Sequence, residues 1–139
     1  MDIFCYSSTP GIAGIDLYKG SYENGQLSFD LVINYHNDFN LLSFPSFSGL
    51  ELEIYVSRDD IPSIVDVDLD GDLDVLTFSQ AGNKMEWYKN QSVEMGYGTD
   101  SLYFEFEDDC WGLFVESGTS STIDTVSYTH LTLPTILHV

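Results

Sequence analysis

The stretch IPSIVDVDLDGDLDVLTFS, residues 61–79, carries most of what can be read from this chain. Its two ends, PSIV and VLTFS, are rich in β-branched residues and read as strands. Between them lie Asp66, Asp68, Asp70, Asp72 and Asp74, five carboxylates within nine residues. Such a cluster repels itself without a counterion, and its alternate spacing wraps the backbone so that side chains converge on one centre. Calcium answers both requirements. It accepts roughly six to eight oxygens, and a loop with acids at positions one, three, five and nine plus a carbonyl at seven supplies most of them. Asp66, Asp68, Asp70 and Asp74 are therefore expected to bind Ca2+ through their side chains. Asp72 is expected to offer its main-chain carbonyl while its own carboxylate faces water. Gly71 falls where such loops turn sharply and a side chain would interfere.

A solvated acidic hairpin without metal is the plainer reading of the same residues, but the strict spacing with a glycine in register favours the metal. A helix-loop-helix sensor would place Glu at the twelfth loop position, where this chain has Thr77, and would flank the loop with helices. The same observations weigh against a dockerin-like module.

Working outward, the whole chain of 139 residues reads as all-β. DIFCYS, AGIDLY, QLSFDLVI, LELEIYV, PSIVDV, DVLTFS, KMEWYK, SLYFEFE and WGLFVE are short, separated by Gly, Asn, Ser and Pro, and none carries a helical stripe. In KMEWYK, Met85 and Trp87 share one face while Lys84, Glu86 and Tyr88 share the other, as in an antiparallel strand with one face buried. With 43% hydrophobic and 14% aromatic residues the chain is a folding sequence, not a disordered one.

The charge narrows the partners. Twenty-three acidic against four basic side chains give a formal charge of −19, which speaks against nucleic acid and anionic membranes and in favour of cations. No stretch reaches the roughly 18 apolar residues needed for a membrane span, and no signal peptide is evident in MDIFCYSSTPG. Cys5 and Cys110 lack a CxxC spacing and read either as buried thiols or as one disulfide.

Internal echoes organise the chain. DIFCYS at 2–7 matches DVLTFS at 74–79, IDLYKG at 15–20 matches MEWYKN at 85–90, and QLSF at 26–29 matches SLYF at 101–104, all at a spacing of roughly 70–75 residues. Ordered echoes at a near-constant offset predict a tandem array of antiparallel units, about one and a half to two blades of a partial β-propeller. Residues 1–60 are the expected partial first repeat, with HNDFNLLSFPSFSG at 36–49 as a long insertion, and residues 61–125 the second, with the calcium loop. Because Asp2 aligns with Asp74, the first copy starts at the last residue of the acidic motif, so the chain is expected to begin within a repeat. The segment VSYTHLTLPTILHV, 126–139, abandons the acidic character and resembles translated sequencing adapter, so it is expected to be an artefactual tail.

DVDLDGDLDVLTFSQAGNKMEWYKN resembles the calcium-loop segment of FG-GAP/VCBS-type repeats, which build integrin-like β-propellers. GYGTDSLYFEFEDDCWGLFVESG is similar to long multi-repeat proteins exported by Bacteroidota. Leu69 stands where Gly or Asn is common in that family. The resemblance implies a calcium-stabilised scaffold at the cell surface or outside the cell, with a binding or adhesion role. Its implied partners are neighbouring propeller blades and a protein or glycan ligand.

Nothing in the chain composes a catalytic set, so a binding or structural module is expected and not an enzyme. His36 is the one histidine outside 126–139, which holds His130 and His138; Ser117–Ser121 lack a GxSxG pattern; and no glycine-rich phosphate loop occurs. Trp87, Tyr88, Trp111 and the Phe39, Phe44, Phe47 group could stack on sugars, though aromatics alternating in strands more often pack between blades. The alternative reading is a propeller segment of an extracellular polysaccharide-degrading enzyme whose catalytic residues lie elsewhere.

Overall fold

A computed structural model describes residues 1–7, 9–36 and 38–126, and the described chain is all-β. Strands β1 (Asp2–Tyr6), β2 (Ile15–Glu23) and β3 (Gln26–Leu31) form an antiparallel meander. The β2–β3 turn is the pair Asn24-Gly25, both at positive φ (51° and 82°), the two-residue hairpin whose twist suits the flanking strands. A short hairpin follows, β4 (Ser43–Pro45) with β5 (Glu51–Glu53). The largest sheet runs in the order β6 (Ser63–Val65), β7 (Asp74–Phe78), β8 (Met85–Asn90), β9 (Phe104–Asp108), again antiparallel. A last hairpin pairs β10 (Phe114–Glu116) with β11 (Ile123–Thr125). Among the described residues there is no α-helix, and no helix long and apolar enough to cross a membrane.

The sequence echoes fall on equivalent places in the two meanders. Ile3 pairs with Tyr18 as Val75 pairs with Tyr88, and Gly20 pairs with Phe29 as Asn90 pairs with Phe104. The Gly20 N–H donates to Asp2 Oδ1 at 3.1 Å, and the Asn90 N–H donates to Asp74 Oδ1 at 2.7 Å. The two differ in their connections: β2 turns into β3 through two residues, whereas β8 reaches β9 through residues 91–103.

Several local expectations are revised. LELEIYV yields a strand only over Glu51–Glu53, yet Ile54 and Val56 just beyond it are buried. WGLFVE begins as a 3-10 turn at Trp111–Leu113, because Gly112 and Leu113 both take positive φ (78° and 54°), and only Phe114–Glu116 is extended. The stretch 36–49 holds β4 and the buried residues Leu41 and Leu42, which leaves its expected character as an insertion in the repeat open. The tail expected at 126–139 lies outside the described residues except for Val126, whose N–H donates to the Leu113 carbonyl at 2.8 Å. Both cysteines are free thiols; Cys110 is buried and its Sγ donates to the Phe114 carbonyl, while burial pushes the half-buried Cys5 thiol up.

One apolar cluster joins the first meander, the β4–β5 hairpin and the four-stranded sheet. It comprises Ile15 and Leu17 from β2, Leu42, Ile54, Val56, Val75 from β7, Tyr88 from β8 and Phe104 from β9, flanked by Phe4, Val32, Phe44 and Ile64. Residues before and after position 60 thus share one interior. Main-chain bonds follow the same route, with Leu42 N–H to the Ile15 carbonyl and Ile54 N–H to the Leu42 carbonyl, both at 2.9 Å. Thr77 Oγ1 donates to the Tyr55 carbonyl at 3.3 Å. On β8 the face carrying Tyr88 and Asn90 is the buried one, and Trp87 on the opposite face is half-buried. The Tyr88 ring packs against Phe44 and Phe106 with centroids 4.9 and 5.2 Å apart, and its hydroxyl donates to Glu86 Oε2.

This packing predicts a separable result at Tyr88. Tyr88→Ala removes a buried ring and should cost about 3–5 kcal/mol, whereas Tyr88→Phe keeps the ring and should cost about 1 kcal/mol or less. Urea unfolding measures both, and equal losses would show that the hydroxyl, not the ring, anchors β8.

Candidate metal centre

The acidic segment is the connection of a β-hairpin. Val65, the last residue of β6, pairs with Asp74, the first of β7, so the loop Asp66–Leu73 starts and ends at one point on the sheet. Its shape is held by carboxylates that accept main-chain N–H groups. Asp66 accepts from Asp70 (3.1 Å) and Gly71 (3.0 Å), Asp70 Oδ1 accepts from Asp72 (3.1 Å), and Asp74 Oδ2 accepts from Val67 (2.9 Å). Asp74 Oδ1 reaches out of the loop to the Asn90 N–H on β8. These amides are why aspartate, short and doubly accepting, suits the loop.

Gly71 sits at φ +103°, as its position in the motif requires. Leu69 also takes a left-handed conformation (φ +67°) with its side chain 86% exposed, so a branched residue bears strain there with little burial in return.

The five aspartates do not form a single set. Ligand oxygens of Asp66, Asp68 and Asp74 lie within 4.8 Å of one another, and a second group of the same tightness joins Asp68 and Asp70 to Glu94, which lies beyond β8. Asp68 belongs to both. Asp72 departs from expectation: its carboxylate does not face water but is fully buried. The segment after β8 folds over it, and the Val93 N–H donates to Asp72 Oδ2 at 3.1 Å, while Asp72 Oδ1 has no hydrogen-bond partner.

Lys89 supplies positive charge to this acidic ground. Its ammonium pairs with Asp68 and with Glu94, and lies 3.7 Å from Asp70 Oδ2. Hydrogen bonds from Lys89 hold the carboxyls of Asp68 and Glu94 below their usual range, and the same bonds raise the Lys89 ammonium. Burial acts the other way at the loop's inner end. It pushes Asp72 up to about 6 against the pull of the Val93 amide, with the charges of Asp70 and Asp74 adding to the rise. Burial also raises Asp74, opposed by the Asn90 and Val67 amides.

Asp66, Asp68 and Asp74 form an acidic group that could hold a metal ion. The donor chemistry fits. Every ligand is a carboxylate oxygen, the preference of hard cations and not of zinc or copper. A carboxylate oxygen that accepts one amide retains a second lone pair for a cation. Asp70 Oδ2 is buried without a hydrogen-bond partner, with the Lys89 ammonium 3.7 Å away. Sequence reasoning missed Glu94 and Lys89. The echo between IDLYKG and MEWYKN held a signal for Lys89, since Asp2 pairs with Lys19 in β1–β2 and Lys89 follows Tyr88, the partner of Val75, at the loop end of β7–β8. Glu94, in the irregular QSVEMGYG, carried none.

No family model matches the chain, and no curated protein or solved structure matches it either.

Two measurements follow from this geometry. Leu69→Asn should raise stability by roughly 1 kcal/mol, because asparagine tolerates the left-handed region and almost no burial is lost; an unchanged or lower denaturation midpoint would contradict the strain. The second concerns pH in chelator. Asp72 in the folded chain titrates near 6, above its ordinary unfolded value of about 3.9. Its protonated form is thus favoured by folding, and stability should fall as pH rises from about 4 through about 6. Asp68 and Glu94, lowered by their bonds to Lys89, act in the opposite sense, and Asp74, raised by burial, adds to the fall. Asp72→Asn should flatten the fall between about pH 4 and about pH 7, and an equally steep fall in that variant would assign it elsewhere.

Proposed function

We propose that this chain is a calcium-stabilised β-propeller repeat segment of a secreted or cell-surface protein, serving as a non-catalytic scaffold for binding or adhesion. The observation that carries the reading is the β6–β7 loop, an all-oxygen cluster on a hairpin whose carboxylates are already oriented by main-chain amides. Calcium is the cation favoured, because carboxylates spaced along a flexible loop suit its irregular shell better than magnesium's tight octahedron. The formal charge of −19 adds a long-range attraction for cations.

The propeller element rests on FG-GAP/VCBS-like residues in 66–90 and on the equivalent pairing in the two meanders. Large apolar side chains such as Phe47 and Ile61 stand fully exposed, and in this reading neighbouring blades are their partners. A protein or glycan ligand would then be bound by the assembled array.

Thermal melts in chelator, millimolar calcium and millimolar magnesium test the proposal. Extracellular calcium modules bind with dissociation constants of about 10⁻⁴–10⁻³ M. A tenfold excess over that constant stabilises by about 1.4 kcal/mol, or roughly 4–8 °C for a domain of this size. Calcium should give that rise, magnesium much less, and Asp70→Ala should abolish it. Coincident melts in chelator and calcium would defeat the calcium reading.

A further inference from the structure

We infer that the Lys89 ammonium is the chain's own competitor for the cation, and that metal binding transfers Asp68 and Glu94 from Lys89 to the ion. The inference rests on the metal reading of the loop and concerns what sets its affinity. Asp68, Asp70 and Glu94 bring their ligand oxygens within 4.8 Å of one another, and the Lys89 ammonium stands among the same three carboxylates. The atoms it engages, Asp68 Oδ2 and Glu94 Oε1, are the ones a cation would need. Like charges cannot share those lone pairs, so the ammonium must leave when a dication enters.

The compensation Lys89 provides is incomplete. One positive charge faces three carboxylates. Asp70 Oδ2 gains no hydrogen bond, and the fully buried Asp72 beside it leaves Oδ1 unpartnered. A dication matches this surplus better than an ammonium does. The way out is open, because Lys89 has a flexible four-carbon stem and its side chain retains 16% exposure. Glu94 lies one residue from Val93, whose N–H binds Asp72, so the segment after β8 is already fastened to the loop and holds Glu94 over it.

Competition of this kind makes the observed affinity the intrinsic one reduced by the fraction of loops from which Lys89 has withdrawn. Removing the ammonium then has opposite effects on the two states. Lys89→Gln should lower the melting temperature in chelator, since the carboxylates lose their counterion, and should tighten calcium by about two- to fivefold, the range of a partly exposed ion pair. Lys89→Arg keeps the charge and should stay close to the natural chain in both respects. Glu94→Gln should weaken calcium, having lost a ligand.

Calorimetric titration of calcium into the full chain and its three variants, with melts in chelator alongside, decides the matter. Tighter binding with a lower chelator melt in Lys89→Gln supports the exchange. Equal or weaker calcium binding by Lys89→Gln overturns it while leaving the calcium reading intact. If no chain takes up calcium, the calcium reading fails and the exchange fails with it. Unchanged affinity in Glu94→Gln removes Glu94 from the proposed ligands.

Discussion

Asp74 is buried completely, and each of its carboxylate oxygens accepts a main-chain N–H, one from Val67 in the acidic loop and one from Asn90 on the neighbouring strand. The first bond closes the loop onto the strand that follows it, and the second ties that strand to β8. Asn90 extends the connection. Its Oδ1 accepts from Ser92 and Tyr103, and its Nδ2 donates to the Ser101 carbonyl, so the long β8–β9 connection is fixed at both ends by one side chain. A buried polar network with every member satisfied stiffens what it joins, and removal of one member strands the rest. The candidate site, the central sheet and the segment carrying Glu94 therefore share a single polar anchor.

The equivalent place in the first meander shows what burial adds. Asp2 makes the same bond to the amide of Gly20, but it is exposed, so water competes for both partners. A hydrogen bond in that setting contributes little net stability, whereas an unmet carboxylate in the Asp74 setting would be costly. The same geometry thus acts as an ornament of the strand end in one meander and as a structural tie in the other.

Much of this was legible in the sequence, and the reason differs from element to element. Strand identity came through in KMEWYK and DVLTFS because period-two alternation and β-branching act locally. The acidic loop was legible because five aspartates and Gly71 fall in one short run. Burial of Asp72 was not, because the cover over it comes from Val93, twenty-one positions along the chain. Glu94 joined the acidic ground for the same reason. Leu41 and Leu42 sit in an aromatic, polar stretch that read as an insertion, and their interior place comes from distant residues, Ile15 of β2 bonding Leu42 and Gly14 lying against Leu41. At Trp111–Leu113 a local signal lost to Gly112, whose left-handed backbone breaks the extended run.

The shared apolar cluster has a consequence for how the chain is made. Ile15 and Leu17 leave the ribosome long before Phe104, which packs in the same cluster. At translation rates of roughly 5–20 residues per second, β2 waits about 5–20 s for its last packing partner. Throughout that interval the β1–β2–β3 meander presents its apolar face to whatever else is in reach, and non-local partners of this kind also slow the search once synthesis ends. Occupation of that face by a chaperone, or by the corresponding face of another nascent chain, is therefore a matter of timing set by the topology.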